Sequence, residues 1–361
     1  MKYVDEFRNK AIVKDLVQRI KEISRLPVSL MEVCGGHTLS IRKFGIPSLL
    51  PETVELLSGP GCPVCVTSRG YIDRAVAYSR INNVIIATYG DLIRVPGSSS
   101  SLEKEKAAGA DIRIVYSTLD ALKIAEQNPS KKIIFLGIGF ETTTPSSAVA
   151  IKTASQKRLP NFFVYSAHKV MPPAMSALID EGIKIDGYIG PGHVSTIAGA
   201  DMFNDLADRY NLAIVISGFE PVDLLQSIYL LVRQFETGNH HVEVQYRRVV
   251  NPQGNLIARK LVNEIFEPRD DWWRGLGILK NSGLGINEDF SAYDAEKNIE
   301  IDPEPLREPK GCICGDVLKG IKKPYQCKLF ANGCNPEDPV GACMVSSEGA
   351  CQAYYRYQTY E

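Results

Sequence analysis

Two cysteines three positions apart, Cys62 and Cys65 in the run Gly59-Pro60-Gly61-Cys62-Pro63-Val64-Cys65, have a spacing that lets two sulfurs chelate one metal ion or close a disulfide. At the start of a helix, free amides and the helix dipole would favour the thiolate, which is both nucleophile and metal ligand. A structural zinc site is the alternative. It needs a second ligand pair, and the nearest candidates, Cys34 and His37, belong to a different strand end. In Cys34-Gly35-Gly36-His37 a soft thiolate and an imidazole share one turn, whose glycines let the backbone approach a ligand closely.

Six more cysteines fall between Cys312 and Cys351, in a stretch rich in Gly and Pro, while residues 66 to 311 contain none. Cys327, Cys334 and Cys351, with either Cys312 or Cys314 and with Cys343 also available, offer four thiolates from separated loops. Such a set can cage an iron–sulfur cluster or a zinc ion. The spacing matches neither the paired pattern of zinc ribbons nor the bacterial ferredoxin run, and we expect iron–sulfur, with zinc as the alternative. Three further groups follow apolar runs: Glu141, flanked by threonines, which could orient a ligand or accept a proton, and His168 and His193, which could serve a site or simply tie down a loop.

The elements that must position these groups are legible as short apolar runs, namely 28–33, 54–57, 84–88, 112–116, 133–138, 162–165, 185–189 and 213–216. Helix-like stretches separate most of them, as at 71–81, 119–127 and 202–210, and an amphipathic helix opens the chain through Phe7, Ala11, Leu16 and Ile20. Unalternating apolar strands joined by helices indicate α/β architecture with parallel sheets covered on both faces. Ligands of such sheets bind beyond the carboxyl ends of the strands, where Cys34, Cys62, Glu141, His168 and His193 all fall, so one shared cleft is expected. The length of 361 residues allows two or three domains. We expect an N-terminal α/β domain at 1–128, a second at 129–218, divided near Asn128-Pro129-Ser130, and a loop-rich domain at 219–361 that a metal centre would stabilise.

Lys plus Arg number 41 against 42 Asp plus Glu, a formal charge of -1, so the electrostatic footprint of a nucleic-acid binder is missing. The first ten residues are charged, without the apolar stretch of a signal peptide, and no apolar run nears the roughly 20 residues that span a bilayer. Two cysteine clusters and an odd total of nine suggest metal or redox sites in a reducing compartment, and a cytoplasmic protein is expected.

Taken in order, Cys34-Gly35-Gly36-His37, the Gly59 to Cys65 run, Gly139-Phe140-Glu141-Thr142-Thr143-Thr144-Pro145, Pro191-Gly192-His193-Val194-Ser195 and the ending Cys343 to Cys351 closely resemble the HypD family of hydrogenase maturation factors. The resemblance runs from Glu32 to Tyr355. It implies a scaffold on which the iron, two cyanides and carbon monoxide of the nickel–iron hydrogenase centre are assembled, in complex with a small HypC-type chaperone. Cyanide would arrive through HypE, with HypF upstream, and the finished unit would pass indirectly to the hydrogenase large subunit. It also implies two α/β domains and a domain with a 4Fe-4S cluster. Carried over by position, Cys34 is the expected iron ligand, with Cys62 and Cys65 as the dithiol beside it and as further candidates for the iron. His37, Glu141, His168 and His193 would line the cleft. Cys314, Cys327, Cys334 and Cys351 would hold the cluster, Cys312 being the alternative to Cys314 and Cys343 being left over. The rival reading is a free-standing disulfide reductase like ferredoxin:thioredoxin reductase, which the family also resembles. It would need only the dithiol and the cluster.

Overall fold

The computed structural model describes residues 5–357; the outermost ends of the expected first and last domains, 1–4 and 358–361, lie outside them. Eleven strands are described: β1 (Val28–Glu32), β2 (Val54–Ser58), β3 (Val84–Thr88), β4 (Ile112–Ile114), β5 (Lys132–Gly139), β6 (Phe162–Lys169), β7 (Gly187–Pro191), β8 (Ala213–Ser217), β9 (Val242–Val244), β10 (Phe266–Trp273) and β11 (Gly277–Ile286). They build two sheets. The first has the order β2-β1-β7-β8-β9, parallel throughout; the second has the order β10-β11-β6-β5-β3-β4, parallel except where the β10–β11 hairpin joins. The α/β class read from the unalternating apolar runs is therefore the class observed. Every residue of β1, β3, β6, β7 and β8 is buried, as sheets covered on both faces require.

Both sheets draw strands from either side of the Asn128–Ser130 turn. β1, with β2 on its outer edge, pairs with β7 after residue 186, and β3 and β4 sit with β5, β6 and the late hairpin. This weaving creates two topological switch points. In the first sheet the chain leaves β1 toward β2 and leaves β7 toward β8, so a crevice opens between β1 and β7. In the second it leaves β3 toward β4 and β5 toward β6, so a crevice opens between β3 and β5. Ligand crevices of open parallel sheets form where neighbouring connections diverge in this way.

Beyond Phe219 the chain is more regular than its sequence suggests. Helix Pro221–Thr237 has a Glu220–Asp223 capping box, Pro221 in its first turn and Gly238 at φ 66° to end it, and it packs on helix Lys10–Ile23. Leu16 and Ile20 of the opening helix are buried there, and the side chain of Asn9 caps its first amides. The segment after β11 is indeed loop-rich, with helices of eight residues or fewer, yet Cys314, Cys334, Cys343, Met344 and Cys351 are all buried in the same core as Met31, Cys65 and Tyr71.

Candidate active site: a cleft backed by sulfur

A cavity of about 720 Å³ joins the two switch points. One wall comes from the first sheet: Val33 and Cys34 after β1, Gly61 and Pro63 after β2, and Pro191 and His193 after β7. The opposite wall is Tyr89 to Asp91 after β3, Val115 and Tyr116 after β4, and Gly139, Phe140, Thr142 and Thr143 after β5. Ser346 and Glu348, from the cysteine-rich C-terminal segment, complete it.

Cys34 is the N-cap of helix Gly35–Lys43, and two close approaches fix it. The Gly35 amide donates to Gly61 O at 2.9 Å, and a Cβ on Gly61 would collide with the Cys34 backbone. On the other side, a Cβ on Gly35 would lie 2.5 Å from Glu348 Cβ. Burial, with the Glu348 carboxyl adding to it, pushes the Cys34 thiol up to about 12. The thiol is thus protonated at neutral pH and must release its proton on taking a metal. Burial likewise raises Glu348, helped by Asp91.

Cys62 and Cys65 form a disulfide with Cα atoms 5.2 Å apart. Cys62 caps the short helix Pro63–Val66, and its Sγ accepts from the Cys65 amide at 3.3 Å. Pro63 and Val64 of this turn face the cleft, while the two cysteines lie beneath it, 3% and 0% exposed. The turn packs against helix Ala342–Val345, which carries Cys343. Arg274, at the tip of the β10–β11 hairpin, donates to Cys65 O and Thr67 O, both at 2.9 Å.

Behind the disulfide, Cys312, Cys314, Cys327, Cys334 and Cys351 line one small cavity with Gly341 and Met344. Cys312 Sγ lies 3.2 Å from Cys314 Sγ, and Cys343, which sequence reasoning left over, is hydrogen-bonded to both Cys314 and Cys351. Those two hydrogen bonds pull the Cys343 thiol below its ordinary range; the bond to Cys314, with burial, pushes Cys312 up. All six cysteines are therefore neighbours, with Cys343 on the side of the disulfide. A Cβ on Gly341 would stand 2.6 and 2.8 Å from the Cys314 and Cys312 sulfurs, so a side chain there would displace them. Among the described residues no three His, Cys, Asp or Glu side chains converge closely enough to hold a single metal ion.

The four other groups singled out by sequence take different places. His193 is in the cleft wall. His37 lies fully buried behind Cys34, its Nε2 facing Ser217 O and Gly218 O at 3.2 and 3.1 Å, and burial lowers it to about 4. His168 is in the core, Nε2 against Ser147 Oγ at 2.9 Å, and burial lowers it to about 3. Glu141 belongs to the loop that walls the cleft but lines a separate cavity on its other side. Sequence reasoning missed Phe219, whose ring is stacked between His37 (centroids 4.5 Å) and His193 (3.9 Å), and whose position after an apolar run was the only signal of it.

A cleft at paired switch points, walled by one thiol, floored by a disulfide turn and backed by six clustered cysteines, defines an α/β thiol protein. Its sequence is matched over residues 11–358 by the family described as "HypD: Hydrogenase formation hypA family". Hydrogenase maturation factor HypD2 of Bradyrhizobium diazoefficiens is 47% identical, with 99% of this chain and 97% of the relative covered. HypD of Azotobacter vinelandii is also 47% identical over the same shares, and HypD of Escherichia coli is 44% identical over 100% and 99%. The chain belongs to the HypD family of hydrogenase maturation factors. Among the described residues no helix is long and apolar enough to cross a membrane.

Proposed function

We propose that the cleft is where the iron of the nickel–iron hydrogenase centre is held by Cys34 while cyanide and carbon monoxide are attached, in a cytoplasmic complex with a HypC-type chaperone. The observation that carries this reading is the stacking in depth of three sulfur groups: the single cleft thiol, the disulfide turn under its floor, and the cysteine cluster packed on that turn. Iron(II) with strong-field ligands needs electron-rich donors, and a thiolate is one. The remaining ligands would come from the chaperone and from the diatomic groups. Cys62 and Cys65 would exchange two electrons and two protons between disulfide and dithiol as cyanide is released from a carrier thiol on HypE, itself supplied by HypF. The completed unit would then leave toward the hydrogenase large subunit.

The donor set at the rear fits a 4Fe-4S cluster. Cys314, Cys327, Cys334 and Cys351 line one cavity, and Gly341 leaves room beside the Cys314 and Cys312 sulfurs that a side chain would take. Cys312 and Cys343 touch the same group and are the alternates. When bound, such a cluster supplies electrons singly, at a potential set by its charge and its hydrogen bonds. The rival reading, a free-standing reductase of protein disulfides, has the disulfide in its favour. Its two cysteines, 3% and 0% exposed beneath the cleft floor, are poorly placed for attack by another protein's thiol.

Protein purified anaerobically with its chaperone and the cyanide-delivery proteins should be brown and should show infrared bands of bound cyanide and carbon monoxide. Cys34→Ala should lose those bands and all hydrogenase maturation while keeping the brown colour. Normal maturation by Cys34→Ala would leave only the reductase reading.

A further inference from the structure

The rear of the molecule gathers positive charge as well as sulfur. Arg69 and Arg274 are 6% and 7% exposed, and each is tied to the loops that carry the cysteines. Arg69 opens helix Arg69–Ser79; its Nη1 donates to Arg307 O at 2.9 Å and its Nη2 to Val340 O at 3.2 Å, while the Val340 amide donates to Cys334 Sγ at 3.3 Å. Arg274 reaches from the hairpin tip to Cys65 O and Thr67 O, and a Cβ on the next residue, Gly275, would stand 2.8 Å from Gly315 Cα, beside Cys314. The field of Arg274 reaches Cys312 and Cys343, and that of Arg69 reaches Cys312.

The carboxylates near these two cations balance them poorly. Glu308 Oε2 lies 3.8 Å from Arg274 Nη1, and its side chain is half exposed. Asp73 is turned to Ser98, whose amide and hydroxyl donate to it at 2.6 and 2.7 Å. Both terminal nitrogens of Arg69 go to carbonyls, and its Nε is enclosed without a partner. A guanidinium in the first turn also stands at the positive end of the helix dipole, so the helix itself disfavours a cation there. Two enclosed, permanently charged groups call for an anion. Four thiolates outweigh the positive charge of an iron–sulfur core, so the loaded cysteine cage is one, and an added electron makes it more negative. We propose that Arg69 and Arg274 form a cationic clamp that supplies the counter-charge of this cage and sets the potential at which it takes up an electron. The inference rests on the rear cysteines holding a 4Fe-4S cluster. Positive charge beside the cage favours the reduced form and so raises its potential. Neither arginine is a ligand; both are positioning residues, and Arg274 also holds the disulfide turn against the same cage through Cys65 O.

The test uses the full chain purified anaerobically. Its iron and acid-labile sulfide are measured first, and it is then titrated with dithionite and redox mediators while the reduced cluster is followed by electron paramagnetic resonance. Arg69→Met and Arg274→Met should each lower the ratio of reduced to oxidised cluster at a fixed applied potential about tenfold, equal to about 59 mV for one electron. Arg274→Lys keeps the charge but not the paired hydrogen bonds and should stay within about threefold of the wild type, whereas a merely structural role would move it as far as Arg274→Met. Glu308→Gln, at a half-exposed position, should shift the ratio the other way, upward by about threefold, and it decides the matter if a methionine variant fails to fold or to hold iron. A folded wild type without iron and sulfide would reject the cluster reading, and the clamp with it. A cluster whose potential is unmoved in Glu308→Gln or in a folded methionine variant, or is moved equally by Arg274→Lys and Arg274→Met, would reject the clamp alone.

Discussion

At the scale of single residues, burial decides what each titratable group is. His168 and His37 are both enclosed and neutral, yet each becomes protonated in the unfolded chain. An imidazole whose native pKa is depressed contributes stability that is complete above its unfolded value and is lost as pH falls through the native one. For His168 that window runs from about 6.5 down to about 3. Urea unfolding of the wild type should weaken on acidification in this window. His168→Gln should remove about 1.4 kcal/mol per pH unit of that slope between pH ~6 and ~4, leaving the part due to His37. An unchanged slope would mean that His168 titrates alike in both states. Cys34 shows the opposite sign of the same effect: its enclosed thiol is held protonated, so iron uptake there, on the function proposed above, should release a proton and strengthen as pH rises toward 12.

Elements act through where they end. Cys34 sits where it does because β1 stops at a glycine-bounded turn into a helix and β2 ends in a turn that lies across it. Gly61→Ala would drive a methyl group into the Cys34 backbone, and the strand end must shift. We expect that variant to unfold at lower denaturant and to lose maturation, whereas Gly109→Ala, where the space is open but φ is 105°, should cost stability alone. The β10–β11 hairpin matters through its tip. Arg274, 7% exposed, spans the disulfide turn with two hydrogen bonds and has Glu308 at 3.8 Å. Arg274→Met should cost about 3–5 kcal/mol through the buried carbonyls left unpaired, read from the denaturation midpoint.

At the scale of the whole molecule, the cysteine-rich segment is part of the main core and not an appendage. It supplies Glu348 and Ser346 to the cleft, and Ser346 Oγ donates to Asp91 at 2.9 Å. Two of its six cysteines, Cys343 and Cys351, bound the short stretch that carries those cleft residues. Loss of whatever the thiolates bind should therefore loosen the cleft as well as the rear of the molecule. Hydrogen exchange after chelator treatment should rise at 342–357 and at Gly35–Lys43, the helix packed against it, with little change in the second sheet. Exchange confined to 312–334 would mean that the cysteine-rich region is mechanically separate.

The apolar runs, unbroken by alternation, determined the α/β class and most of the strands, because a strand buried on both faces must be apolar along its length. The cysteine positions, read against the apolar runs, showed that sulfur lies at strand ends and near the C-terminus. The chain from Phe219 to Ile286 concealed a long capped helix and a hairpin although Pro221, Gly238 and Gly275 punctuate it, because β10 is mostly exposed or half-buried and so carries no unbroken apolar run. Tertiary structure alone decided which strands share a sheet, because pairing between β1 and β7 or between β6 and β11 is a contact across more than a hundred residues with no local signature. It also decided the company each polar group keeps. His168 and Glu141 end their strands as His193 and Cys34 do, but the twist and order of the strands turn the former pair into the core and the side cavity, and only the latter pair into the cleft.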